Sequence, residues 1–137
     1  MRKTASQIEK DVFRIVKKCV KDFIGGDVYR KGMRPKDSRK EDCVVAFASG
    51  MEGQKQNGEV YVHIYVPYTN ASKRSALIPN IPRIDELELK LIDLLTELGK
   101  DGEYCFEYRY TPTNLDLDDI EQSQLSALIT YQRYTFN

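Results

Sequence analysis

The spacing of hydrophobic positions predicts a helix at the start of the chain. Apolar side chains recur at steps of three and four residues across Ile8–Phe23, which is the pattern of one face of an α-helix. Thr4 and Gln7 match a capping box, and Gly25–Gly26 supplies a stop signal, so we expect the helix to lie between them. Because the apolar stripe is one-sided, the helix is expected to cover a sheet.

The next strong pattern, within Asp42–Pro67, predicts two strands. Cys43–Ala48 is apolar on both faces, and Glu59–Val66 alternates strictly between apolar and polar side chains. Ser49–Gly58 lies between them, lacks an apolar period and contains three glycines, so we expect a long polar loop there. Such an arm buries little apolar surface, so removing Gly50–Gly58 should leave the fold intact yet weaken assembly. A polar arm of this kind indicates a protein whose function is to contact other proteins.

The second half of the chain predicts one more helix and two more strands. Pro82 suits the first turn of this helix and Gly99 its end, with an apolar stripe between them. Glu103–Thr111 alternates aromatic with polar residues, and Ser126–Phe136 is rich in β-branched and aromatic ones, as strands are. Val28–Tyr29 adds a short strand early in the chain.

This order of elements, α-(β)-β-β-α-β-β, predicts a single α+β domain over residues 1–137. Its mostly antiparallel sheet should hold about four to five strands, with both helices packed on one face. Extended loops are expected near residues 30–42, 49–58 and 112–124, with a shorter one at 67–81. Long loops in a compact domain are usually functional or disordered, so we expect loops that become ordered on meeting a neighbour.

Composition narrows the classes of function. Lys and Arg total 21, as do Asp and Glu, so no net field draws the chain towards nucleic acid or a membrane. Cys19, Cys43 and Cys105 lie in apolar patterns without a paired spacing, which favours buried, reduced thiols. No apolar run approaches the ~20 residues of a membrane span and no signal peptide is evident, so we expect a cytoplasmic protein.

His63, the only histidine, is the natural candidate for a general base. Tyr61 and Tyr65 share its face of the predicted strand, and no serine or cysteine is placed near it in sequence to form a nucleophile–base pair. A histidine at a sheet surface or an interface is therefore the favoured interpretation.

Two charged segments suggest contacts with partners. Asn114–Glu121 is acidic but lacks the glycine and distal glutamate of a calcium-binding loop, so we expect it to be solvated or to face a partner. Asp118 or Asp119 could cap a helical turn at Ile120–Leu125. The basic segment Arg30–Lys40 of one copy and the acidic segment of the next could key a head-to-tail ring. The candidate contact residues are Arg30, Lys31, Arg34, Lys36, Arg39, Lys40, Met51, Gln54, Lys55, Gln56, Asp116, Asp118, Asp119 and Glu121.

The order of these parts also resembles a known family. The amphipathic first helix runs into Ile24–Tyr29, a proline-containing loop follows at Met33–Pro35, and Glu41–Val45 leads into the predicted hairpin. With the second helix and a last strand ending in Tyr131–Phe136, the chain resembles the tail terminator (tail completion, minor tail) proteins of long-tailed bacteriophages and prophages. The resemblance spans nearly the whole chain and rests on element order.

The resemblance implies a structural protein without catalytic residues, cofactor or metal. It would form a ring, expected to be a hexamer, at the head-proximal end of the tail tube, where it would contact tail tube and head-connector proteins. DNA would only pass through the lumen, no membrane would be involved, and Arg30–Lys40 and Ser49–Gly58 would be the contact arms. The protein would occupy the bacterial cytoplasm during assembly and the virion tail of an active phage. The chain departs from the family in its neutral charge and its long acidic connection, Pro112–Gln124.

Two alternatives stay open. One is a small adaptor or regulatory module that binds a peptide or protein partner through a sheet edge. The other is a hydrolase or related enzyme that uses His63 together with a carboxylate.

Overall fold

The computed structural model describes residues 2–51, 55–70 and 76–134, without the side chains of Lys100 and Asp101. The helices are α1 (Ala5–Val20) and α2 (Ile81–Leu98). The strands are β1 (Val28–Arg30), β2 (Cys43–Met51), β3 (Lys55–Pro67), β4 (Lys100–Asp101), β5 (Tyr104–Tyr108), β6 (Thr113–Leu117) and β7 (Gln122–Tyr134). The predicted last strand continued to Phe136, and its final two positions lie outside the described residues.

The strands form one seven-stranded sheet in the order β1-β2-β3-β7-β5-β4, with β6 paired to β7 beside this path. β1 and β2 run parallel, and the other strand pairs are antiparallel. β3 and β7 are the long central pair, matched from Lys55 with Tyr134 to Pro67 with Gln122. The edge of β7 away from β3 pairs with two strands: β6 pairs with the first half of β7 and β5 with its second half. The predicted α+β class is confirmed, and the sheet has more strands than expected.

Both helices cover the same face of this sheet. Alternate residues of β3 and β7 point to that face, and the one-sided stripes of α1 and α2 pack on them. The largest fully buried side chains of this core are Val12, Val16, Val20, Val45, Val60, Ile64, Ile84, Leu87, Leu91, Leu125, Ile129 and Tyr131.

The predicted starts of both helices and the end of α2 are confirmed, but the predicted end of α1 is wrong. Thr4 and Gln7 form the capping box, and Gly99 ends α2 with a positive φ of 43°. α1 already ends at Val20, well before Gly25–Gly26. Gly26 serves a different purpose, because a Cβ there would lie 2.7 Å from the Glu41 carbonyl oxygen. The glycine lets the two backbones approach and hydrogen-bond.

The long loop predicted at 49–58 is also wrong. β2 continues to Met51 and β3 begins at Lys55, and the connection at 52–54 lies outside the described residues. Because β3 is bordered by β2 and β7, its backbone groups are satisfied by both neighbours even where its side chains are polar. Removing Gly50–Gly58 would take away paired backbone, so the reason given for the fold to survive does not hold, and the outcome of the removal stays a prediction.

The predicted loop at 112–124 is wrong for the same reason. Thr113–Leu117 forms β6, Asp118–Glu121 makes a tight turn, and Gln122 already belongs to β7. The helical turn expected at Ile120–Leu125 is therefore absent. By contrast, residues 31–42 contain no helix or strand, as predicted. Of the segment 67–81, residues 71–75 lie outside the described part of the chain.

The prediction of three buried thiols holds for one cysteine. Cys43 is buried in the core, and burial raises the pKa of its thiol to about 12. Cys19 and Cys105 are exposed. Cys105 alternates along β5 with the buried Tyr104 and Phe106, so its side chain points to the other face of the sheet. Cys19 lies on the apolar stripe of α1 but lines the open groove between α1 and α2.

Candidate interaction surface

The face of the sheet opposite the helices carries polar and aromatic side chains. Residues of β3 and β7 that alternate with the core positions point to this side, which we call the outer face. It is made by Lys55, Asn57, Glu59, Tyr61, His63 and Tyr65 of β3 and by Gln122, Gln124, Ser126, Leu128, Thr130, Gln132 and Tyr134 of β7. Tyrosines and neutral polar groups dominate it, so its chemistry suits a protein contact more than a phosphate-binding surface.

The basic segment 31–41 lies across one end of the outer face, and Arg34 holds it there. The Arg34 guanidinium sits 4.2 Å from the centre of the Tyr65 ring. It also donates to Asp42 Oδ2 at 2.9 Å and to Gln122 Oε1 at 2.9 Å. Arg34 therefore acts as an internal clamp between this segment, β3 and β7.

Asp42 is the buried partner of this clamp. Its side chain is 0% exposed and accepts hydrogen bonds from the Asp27 amide, the Ser38 hydroxyl and Arg34. Burial alone would raise the pKa of Asp42, but the bonds from Ser38, the Asp27 amide and Arg34 together hold it below its ordinary value. The carboxylate is thus ionised and fully partnered at neutral pH.

A cleft of about 410 Å³ lies between the clamped segment and the β6–β7 turn. Lys31, Arg34 and Lys36 stand on one side of it. Its apolar lining comes from Val44, Ala46, Leu117 and Ile120, and His63, Tyr65 and Gln124 add polar edges. An apolar floor beside three cations suits a hydrophobic side chain that is flanked by acidic groups.

His63 has a serine neighbour that its sequence position does not reveal. Its Nδ1 lies 2.7 Å from Ser126 Oγ and 3.0 Å from Gln124 Nε2, and its ring stacks on Tyr61 with 5.1 Å between centres. The pairing of β3 with β7 brings this serine to His63 although 63 positions separate the two residues in the sequence. Within the part of the chain that the structure describes, no carboxylate hydrogen-bonds to the ring, so the group that would orient a catalytic base is not seen.

Burial lowers the pKa of His63, so the neutral ring is the form that the fold favours. The unfolded chain takes up a proton near pH 6.5, the ordinary value, while the folded chain does so only at lower pH. Stability should therefore fall as pH drops from 6.5 towards the folded pKa. We expect urea titrations between pH 7 and 5 to show this decline in the free energy of unfolding. In a His63→Gln variant the decline should be smaller, because the contribution of the histidine is removed. An equal decline in the variant would assign the effect to other groups.

The other candidate contact residues fall into two groups. Lys31, Lys36, Arg39, Lys40, Met51, Lys55, Asp116, Asp118 and Asp119 are exposed, and Glu121 is half-buried. Arg30 is bonded to Glu9 and to the Ser6 carbonyl, and Gln56 is buried between Lys3 and Arg133. Those two side chains are therefore engaged within the chain, and Gln54 lies outside the described residues.

The basic segment and the acidic turn lie next to each other. Gln122, directly after the turn, accepts from Arg34 and donates to the Ser38 carbonyl at 2.8 Å. The two charged segments therefore lie together at one end of the outer face, and a head-to-tail contact between them stays a prediction.

The sheet also has strand edges that no described strand covers. Glu9 accepts the Phe47 amide at 3.1 Å and Arg30 Nε at 3.0 Å, which occupies the edge of β2 just beyond β1. Past that point Ala48–Met51 pairs only with β3, and β6 pairs only with β7, among the residues that the structure describes. Such edges are places where a further strand can add.

Other kinds of site find no support in the described ranges. Across residues 2–51, 55–70 and 76–134, no three His, Cys, Asp or Glu side chains come together to hold a metal ion. Neither described helix is both long and apolar enough to span a membrane. No protein-family model matches the chain, and none of the curated proteins matches it.

Proposed function

We propose that this chain is a non-enzymatic structural protein of phage or prophage tail assembly, one that caps the tail tube as a ring and joins it to the head connector. The observation that carries the proposal is the outer face of the sheet with its uncovered edges. Tyr61, Tyr134 and Met51 stand exposed on this side, Met51 at 70%. Aromatic and methionine side chains are enriched where proteins meet, and uncovered strand edges invite pairing.

The order of elements supports the same function. α1, the short strand β1 and the proline-containing loop precede a long hairpin, and α2 and the closing strands follow it. This order carries the resemblance to tail terminators. The helices cover one side of the sheet, so the outer face is left for the tail tube and the head connector. In the proposed role the ring assembles inside the bacterial host and later forms part of the virion.

The mass of the assembly tests the proposal. Sedimentation velocity and native mass spectrometry should show oligomers of the purified chain, either alone or after mixing with tail tube subunits. A Met51→Lys variant should weaken this assembly because it places a charge on the contact side. Met33→Lys is the matched control, since Met33 is equally exposed on the segment 31–41. A chain that stays monomeric even with tail tube subunits would contradict the proposal.

The uncovered edge of β2 favours an adaptor as the second candidate. A bound peptide would add a strand beside Ala48–Met51, where Glu9 no longer occupies the edge. In that case the amides of this segment should gain protection from hydrogen exchange only when the peptide is present. The chain would stay monomeric with tail tube subunits, which separates this candidate from the first.

A further inference from the structure

The solvent side of α1 carries a basic ridge. Lys10, Arg14, Lys17 and Lys21, the last at the C-cap, recur at steps of three and four residues, and all are exposed. This spacing places them along one line of the helix, opposite the side that packs on the sheet.

The solvent side of α2 carries an acidic ridge. Asp85, Leu89, Asp93 and Glu97 recur at every fourth position, and all are exposed. Leu89, in the middle of the ridge, is 66% exposed.

The charges of both ridges lack ion-pair partners among the described residues. In the described residues, no ion pair joins a side chain of the basic ridge to a carboxylate, and none joins Asp85, Asp93 or Glu97 to a cation. Other charges of the chain are partnered, as in the pair of Arg83 with Glu41 at 2.6 Å. The ridges are therefore left available for an outside partner.

The two ridges lie on neighbouring helices with a groove between the helices. α1 and α2 run in opposite directions, because Arg83 at the start of α2 donates to the Phe23 carbonyl, just past the end of α1, at 2.7 Å. The groove has a volume of about 620 Å³. Asp93 and Glu97 of the acidic ridge line it, whereas α1 contributes Lys18, which lies beside the basic ridge.

We propose that the helix layer is a contact between copies of this chain, in which the basic ridge of one copy packs against the acidic ridge of another. The inference rests on the proposed function for self-association and names the surface that provides it. Two copies related by a two-fold axis along the groove form both ridge contacts at once and cover the groove. Copies side by side form one contact with each neighbour, which gives a ring.

Charge complementarity selects a second copy over a nucleic acid. The acidic ridge lies beside the basic one and repels phosphates, and the chain has equal numbers of cationic and anionic residues. A second copy offers an acidic surface for the basic ridge and a basic surface for the acidic ridge. The contact should weaken at high salt, because exposed charges are screened over about 10 Å at 0.1 M.

Charge reversal tests this contact on the full chain. One variant combines Arg14→Glu with Lys17→Glu, and its counterpart combines Asp93→Lys with Glu97→Lys. Each alone should weaken self-association by roughly 100-fold or more, because like charges then face each other. Mixing the two variants, or placing all four substitutions in one chain, should restore association, since opposite charges face each other again. Asp37→Lys, on the exposed segment 31–41, is the control and should change nothing.

The outcomes separate this inference from the proposed function. If the wild type associates, the reversed variants associate equally well and Met51→Lys does not, the helix contact is wrong and the proposed function stands. If the wild type is monomeric with and without tail tube subunits, the proposed function itself fails. Loss of binding to duplex DNA in the α1 variant, with association unchanged, would assign the basic ridge to nucleic acid and overturn the inference. Where association is restored, the mass of the complex decides between a closed pair and a ring.

Discussion

Replacing Asp42 by alanine should lower the free energy of unfolding by about 3–5 kcal/mol. The substitution removes a fully buried carboxylate and leaves Arg34, which is 12% exposed, without its ionic partner. The Asp27 amide and the Ser38 hydroxyl lose their acceptor at the same time. Substitutions that leave buried polar groups without hydrogen-bond partners are among those that lower the free energy of unfolding most.

Urea unfolding followed by circular dichroism measures this loss. Asp37→Ala is the matched control, because Asp37 is an exposed carboxylate in the same segment, and it should change stability by less than about 0.5 kcal/mol. Similar stabilities for the two variants would show that the clamp contributes little. Segment 31–41 should also become sensitive to proteases in the Asp42 variant, because Arg34 no longer holds it on the outer face.

The same carboxylate predicts sensitivity to acid. The pKa of Asp42 in the folded chain lies below its ordinary value of 3.8, so its contribution is present above pH 3.8 and is lost as pH falls through the folded pKa. An Asp42→Asn variant should therefore show a shallower loss of stability below pH 3.8 than the wild type.

Replacing Gly58 by alanine should cost about 1–3 kcal/mol and disturb the end of the β2–β3 hairpin. A Cβ at this position would lie 2.1 Å from the Ser49 carbonyl oxygen and 2.6 Å from the Gly50 Cα. Both are backbone atoms, and they sit where the register of β2 against β3 shifts between Phe47 and Ser49. The backbone must therefore move, and the cost cannot be relieved by a side chain.

Gly25→Ala is the control for this effect, since a Cβ there meets nothing within 4 Å. Hydrogen exchange should show faster opening of Ser49–Met51 in the Gly58 variant, with the helices unchanged. If the proposed function is correct, the variant should also assemble poorly, because this end of the hairpin carries Met51. Unchanged exchange in that segment would mean that the hairpin tolerates the added methyl group.

The sequence alone predicted the helices and strands that have a regular pattern of closely spaced apolar residues. The stripe of α1 with its capping box, the leucines of α2 before Gly99, and the strict alternation at Glu59–Val66 each specify an element from neighbours in the chain. These signals also predicted the α+β class and the placement of both helices on one face, which the fold confirms.

Only the tertiary structure decided the polar parts of the sheet and the contacts of the charged residues. β6 forms a strand because β7 supplies its backbone partners, and the polar ends of β2 and β3 form strands because β2 pairs with β3 and β3 with β7. The polar side chains of these segments do not predict this pairing from the local sequence. The register of β3 and β7 places Ser126 next to His63. Segment 31–41 folds back onto the sheet, so Arg34, which the sequence suggested as a contact residue, is an internal clamp. Local periodicity fixes which residues face a core, whereas pairing between distant segments fixes which polar groups meet.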